Sequence, residues 1–243
     1  MNFPVDLLTS VLAFSIALLG ATLQGSIGFG LGLIGVPLLV ILDPAFVPGP
    51  VLLVALCLTT LISLREHRAI NFREITWAVS GRILGTLIGV GLLSLMSENG
   101  LSLFFGSMVI LAVLISISGW RLSLKPLNLL GAGTVSGVMG TTSAIGGAPM
   151  ALVYQHQKGP RLRGSLSSIF IFGTIISLTS LVLVHRFGTR ELLLALVLLP
   201  GTLLGFVISR KTARFLDRGF TRPAVLIASA LSGLIVILRV LLD

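Results

Sequence analysis

Nine apolar runs are spaced along the chain, at 7–23, 27–42, 45–64, 75–96, 100–120, 126–154, 164–184, 192–209 and 223–238. A helical crossing of a bilayer takes about 20 predominantly apolar residues. The runs 45–64, 75–96, 100–120, 164–184 and 192–209 each fit one crossing, and 223–238 fits with a slight extension. Two stretches do not read as a single helix. The first, 7–42, is interrupted at Gly25–Gly32, and the second, 126–154, at Gly137–Gly147. Glycine costs a helix interior about 1 kcal/mol relative to alanine and proline about 3. "QGSIGFGLGLIGVP" therefore marks a broken segment inside an otherwise membrane-compatible region. The 29 residues of 126–154 would span about 44 Å as one helix, short of the roughly 40 residues that two full crossings need. Both stretches are read as re-entrant, broken helical hairpins.

Charge fixes which ends share a side. If both hairpins enter and leave on one side, thirteen of the seventeen basic residues fall together. They are Arg65, Arg68 and Arg73; Arg121 and Lys125; Lys158, Arg161 and Arg163; and Arg210, Lys211, Arg214, Arg218 and Arg222. Arg186, Arg190 and Arg239 lie opposite, and Arg82 lies within a run. A single crossing by each broken region would erase this bias. The positive-inside rule therefore places the thirteen in the cytoplasm and both termini outside.

Composition agrees with this picture. The chain has 243 residues, 55% hydrophobic and only 10% charged, against about 25% charged in soluble domains. It reads as an all-α polytopic membrane protein, one transmembrane domain over 1–243, multi-pass in the cell inner membrane. The net charge of +9 is a topology signal, and no nucleic-acid partner is expected. One cysteine, Cys57, excludes an internal disulfide. No metal or cofactor site is expected. The first ten residues lack the basic region of a cleaved signal peptide.

The chain also matches itself. Gly25, Gly28, Gly35 and Pro37 fall on Gly137, Gly140, Gly147 and Pro149, "GP" at Gly49–Pro50 recurs at Gly159–Pro160, and "GTLIG" at Gly85–Gly89 recurs as "GTLLG" at Gly201–Gly205. Colinear matches of this kind point to a duplication, with repeat one at 7–120 and repeat two at 126–242. Each half is one hairpin plus three transmembrane helices. Three crossings are odd, so the second half is inverted, the architecture of many secondary transporters. The broken tips then meet near the midplane, where irregular backbone is tolerated only against protein or a watery cavity. The glycines of "GTLIG" and "GTLLG" read instead as close helix packing.

The residues also resemble a known family. The pair "LQGSIGFGLGLIGVPLL" and "VSGVMGTTSAIGGAPMAL", with the basic junction "LISLREHRAINFRE", is similar to the sulfite/sulfoacetate exporter (TauE/SafE-type) transporters. The resemblance covers nearly the whole chain. It implies export of small anions, such as sulfite, sulfoacetate or a related sulfonate, across the bacterial inner membrane.

The residues themselves also suit an anion. The returning half of each hairpin starts at the tip and aims a helix N-terminus, with its partial positive charge and free N–H groups, at the midplane. Candidate substrate-binding positions in the first motif are Gln24, Gly25, Ser26, Gly28, Gly32 and Gly35. In the second they are Gly137, Gly140, Thr141, Thr142, Ser143, Gly146 and Gly147, with Ser136 a further hydroxyl. Each hydroxyl has a competing role, bonding back to its own helix. Arg82 completes the set. An intramembrane charge marks a functional site by default. The sequence nevertheless favours snorkelling, since Arg82 lies about 12 Å along the helix from Glu74. "YQHQKGPRLRGSLSS", with Tyr154, His156, Lys158, Arg161, Arg163, Ser165, Ser167 and Ser168, reads as an ordinary positive-inside loop.

An intramembrane enzyme would need a nucleophile–base pair, a carboxylate pair or a metal cluster at depth, and no Asp, Glu, His or Lys lies well inside a run. An anion channel, or an uptake carrier for small carboxylates or sulfur oxyanions, is the alternative reading. The expected partners are a small anionic substrate and the lipid bilayer, and a homo-oligomer is compatible with the sequence.

Overall fold

The computed structural model describes residues 5–95, 122–154, 157 and 159–216, with isolated positions between 104 and 115. Most of the run 100–120, all of 223–238, and Arg121, His156, Lys158, Arg218, Arg222 and Arg239 lie outside the described residues. Every regular element among those described is helical. The first broken region is α1 (Leu7–Ile27), a π-helical turn (Leu31–Gly35) and α2 (Val36–Leu42). Then come α3 (Gly49–Glu66) and α4 (Phe72–Leu95). The second broken region is α5 (Pro126–Ser143) and α6 (Gly147–Tyr154), followed by α7 (Gly159–Leu183) and α8 (Thr189–Leu216). Five of the described helices are long and apolar enough to cross a membrane: α1, α3 with its short extension to Ala69, α4, α7 and α8. Their outer faces carry exposed large apolar side chains, among them Leu19, Leu87, Phe172 and Val207, a surface that suits lipid and not water.

Both breaks have a local cause. α1 ends at Gly28 (φ 93°), and Gly30 follows with φ 157°. This is backbone that glycine enters without penalty. α5 ends at Ala144, also left-handed at φ 58°. The second interruption is therefore confined to Ala144–Gly146, shorter than the expected Gly137–Gly147, and Gly137 and Gly140 lie inside α5. Gly137 is needed for contact: a Cβ there would sit 2.9 Å from Gly85 Cα and crowd the Arg82 carbonyl. Gly25 likewise lies inside α1. In both cases tight packing outweighs intrinsic helix propensity, as small residues at membrane helix interfaces permit.

Two glycine-lined pairs run the length of the bundle. In the first, Gly81, Gly85 and Gly89 of α4 meet Leu130, Thr134 and Val138 of α5 in order, so α4 and α5 are parallel. In the second, Gly201 and Gly205 of α8 meet Phe14 and Leu18 of α1, so these two are parallel as well. α3 and α7 are antiparallel, with Glu66 against Arg163 at one end and Leu52 packed with Leu181 at the other. Short links make α3–α4 and α7–α8 antiparallel hairpins. Following these contacts, α1, α3 and α8 point one way and α4, α5 and α7 the other. The helices of the first set (α1, α3, α4) thus run opposite to their counterparts in the second (α5, α7, α8).

Candidate functional site

The two breaks touch. A Cβ on Gly32 would overlap the Ala144 carbonyl, and one on Gly147 would sit 3.1 Å from Phe29 Cβ. Gln24, one turn before the first break, turns its side-chain oxygen to the Leu31 N–H at 3.1 Å. It thereby satisfies a donor that the start of the π turn leaves without a helical partner. π turns of this kind recur at functional positions.

At the crossing is a cavity of about 50 Å³. The first break contributes Phe29, Gly30, Gly32 and Leu33, and the second contributes Ala144 to Ala148. Both returning helical segments, Leu31–Leu42 and Gly147–Tyr154, thus begin at its wall. α3 adds Thr59, α7 adds Phe170 and Thr174, and α4 adds Arg82.

Arg82 is the charged residue of this lining. It is 2% exposed, so the snorkelling expected from sequence is replaced by an inward orientation. The reason is the glycines around it. A Cβ on Gly140 would lie 2.9 Å from Nη2, one on Gly146 3.0 Å from Nη1, and one on Gly173 would overlap Nε. Three missing side chains on α5, the second break and α7 make room for one guanidinium. Nη1 donates to Ser136 Oγ at 2.8 Å, and that hydroxyl donates to the Gly146 carbonyl at 2.5 Å. The guanidinium carbon lies 5.2 Å from the centre of the Phe170 ring, and Nε has no hydrogen-bond partner. None of the three ion pairs among the described residues involves Arg82. A buried ion without a counter-charge costs several kcal/mol, and a bound anion would relieve that cost.

The structure sorts the other sequence candidates. Gln24, Gly32, Gly140, Gly146 and Gly147 line the cavity with Arg82. Gly25, Ser26 and Gly28 lie beyond its floor, against Ser209, Thr212 and Arg163. Gly35 faces α1, where a Cβ would make ordinary contacts of 3.4 Å and more. Gly137 is in the α4–α5 seam. Thr141 bonds Thr86 and Ser177, joining α4, α5 and α7. Thr142 and Ser143 bond back to Val138 and Met139 of their own helix, the competing role for such hydroxyls.

Two inward-turned cations escaped the sequence reading, Arg163 buried and Arg65 half-buried. The sequence pattern puts Arg163 in a loop, yet α7 begins at Gly159 and Arg163 is 4% exposed. The "GP" at 159–160 is the available signal, because proline favours the first helical turn. Arg65 is still within α3. Arg161 of the same segment pairs with Glu74 at 2.6 Å, and Tyr154 is fully buried. The ordinary-loop reading therefore fails for this stretch where it is described.

In comparison with known proteins, the family described as sulfite exporter TauE/SafE matches residues 13–236 of the chain. No curated protein and no solved structure matches it.

Proposed function

The chain belongs to the sulfite exporter TauE/SafE family and is a membrane transporter, and from that premise we propose that it exports a compact sulfur oxyanion, held at Arg82, out of the bacterial cytoplasm across the inner membrane. The observation that carries this reading is the buried guanidinium with no carboxylate partner among the described residues, at the cavity where the two broken segments cross. Helix N-termini at the wall add backbone N–H groups and a favourable dipole. Ser136 fixes the guanidinium to the second break.

Size and charge narrow the cargo. One water needs roughly 10–15 Å³ of such free volume, so about 50 Å³ accommodates three to five water-sized groups. That suits a single XO₃ headgroup of the sulfite kind. Sulfoacetate carries two anionic ends and would need a wider cavity and a second cation. The reversed helix directions support an inverted repeat, 7–120 against 126–242, in which the two halves rock about the crossing. With the basic loops in the cytoplasm, a negative-inside membrane potential favours exit of a monoanion by about 2.3 kcal/mol per 100 mV.

Efflux from proteoliposomes tests the proposal, using sulfite, methanesulfonate, sulfoacetate and acetate at fixed membrane potential. Saturable flux of the compact sulfur oxyanions is expected, falling at least a hundredfold in Arg82→Gln with the fold intact by size exclusion. Undiminished saturable flux in that variant would overturn the assignment of the site. A linear, non-saturating flux would favour a channel.

A further inference from the structure

The polar side chains of the cavity wall are Gln24 of α1, Thr59 of α3, Arg82 of α4 and Thr174 of α7, and no carboxylate lines it among the described residues. Thr59 is committed locally, its hydroxyl donating to the Ala55 carbonyl one turn back at 2.7 Å. The other three keep a donor in hand. Arg82 Nη1 donates to Ser136 Oγ at 2.8 Å, whereas Nη2 has no acceptor among the described residues. The orientation of Gln24 is set by its partner. The Leu31 N–H can only donate, so the atom 3.1 Å from it is Oε1. The amide NH₂ is left without an acceptor among the described residues, on a side chain that lines the cavity. Thr174 is 3% exposed, and its hydroxyl makes no hydrogen bond among the described residues. A helical threonine at such depth commonly bonds back to its own helix, as Thr59, Thr142 and Thr202 do here.

These donors are held in place from behind. Gly173, the neighbour of Thr174, makes room for the guanidinium, and Ser136 ties that guanidinium to the second break. Beyond Gln24, Arg65 and Arg163 donate to the Gly25 and Ser26 carbonyls at 2.5 and 2.9 Å, and the Nε of each donates to Glu66 Oε1 at 3.0 Å. The last turn of α1 is thereby pinned to α3 and α7. Donors fixed before the ligand arrives bind without the cost of ordering them.

Three open donors suit an anion with three terminal oxygens, one for each. A carboxylate has two oxygens and leaves one buried donor unpaired, a loss of about 10- to 100-fold in affinity. We propose that the Thr174 hydroxyl and the Gln24 amide are the neutral ligands of the central site, and that with Arg82 Nη2 they select a three-oxygen anion over a carboxylate. This selection rests on the reading of Arg82 as the anion site. Thr174 stands outside both broken motifs, on the helix that follows the second.

Calorimetric titration in detergent with methanesulfonate and with acetate tests the donor set, acetate being read by competition where its own heat is small. The quantity of interest is the ratio of the two dissociation constants. The parent is expected to favour methanesulfonate at least tenfold. Thr174→Val keeps the shape and removes the donor, and is expected to weaken methanesulfonate about 10- to 100-fold. Acetate pairs with the two donors that remain and changes less than threefold, so the ratio collapses. Gln24→Met is expected to collapse the ratio in the same way. A loss of packing alone would weaken both anions together and leave the ratio unchanged. Thr174→Ser restores a hydroxyl and is expected to return the ratio to within threefold of the parent. A ratio unchanged in either Thr174→Val or Gln24→Met, with folding intact by size exclusion, overturns the donor set, and so does failure of Thr174→Ser to restore it. Arg82→Gln separates the two readings. Binding of both anions lost in Arg82→Gln, with the ratio unmoved in Thr174→Val, overturns the donor set alone. Methanesulfonate affinity undiminished in Arg82→Gln overturns the central site itself.

Discussion

Gly173→Ala is the sharpest perturbation of the Arg82 cradle, because the added Cβ would overlap Nε and displace the guanidinium. Overpacking of this kind costs about 1–3 kcal/mol. The helical alanine returns up to about 1 kcal/mol, so the net loss of stability is about 0–3 kcal/mol. The effect on anion affinity is larger. Moving the guanidinium off the position that Ser136 fixes misaligns it for the anion, and a hydrogen bond to a charged group is worth about 1.5–3 kcal/mol. At 1.4 kcal/mol per decade this weakens anion binding by about 10- to 150-fold. Calorimetric titration with methanesulfonate and thermal unfolding in detergent measure the two effects. The decisive comparison is a double-mutant cycle with Arg82→Ala, which removes the overlap. In that background Gly173→Ala is expected to be neutral or to stabilise by up to about 1 kcal/mol, giving a coupling of about 1–3 kcal/mol. Gly131→Ala, with open space around its Cβ, is the control and is expected to stabilise slightly. A Gly173→Ala effect that is the same with and without Arg82 would refute the reasoning, because the glycine would then serve packing unrelated to the guanidinium.

Other expectations follow from the same contacts. Gly32→Ala, whose Cβ would overlap the Ala144 carbonyl, is expected to lower the unfolding temperature by several degrees and to abolish transport, while Gly35→Ala, with contacts no shorter than 3.4 Å, leaves both nearly unchanged. Thr142→Val and Ser143→Ala are expected to alter anion affinity less than twofold, since both hydroxyls bond to their own helix; a tenfold loss in titration would place them at the anion after all. Single cysteines at Arg68 and Gly188, in a Cys57→Ser background, are expected to label from opposite faces of the membrane, because α3 and α7 end at opposite ends of the bundle; labelling from one face would contradict the helix directions.

What sequence alone determined is what depends on local chemistry. Apolar run length sets which segments can cross a bilayer, because every backbone polar group in lipid must be satisfied within its own helix. Clusters of glycine with proline locate the two broken regions, because left-handed backbone and a missing Cβ are legible from residue type. Family membership was legible for the same reason, since it is carried by those glycine and apolar patterns. Tertiary structure decided everything that depends on which surface a side chain meets. Gly137 and Gly28 are the same letter, yet one packs against α4 inside a helix and the other ends one. Arg82 could be placed in depth from sequence but not in direction, because its direction is set by Gly140, Gly146 and Gly173, remote in the chain and brought together only by packing. Arg65 and Arg163 looked like loop charges, since a count of basic residues registers sign and position only. Their meeting on one oxygen of Glu66 needs α3 and α7 to lie antiparallel, a fact of packing between segments 97 residues apart.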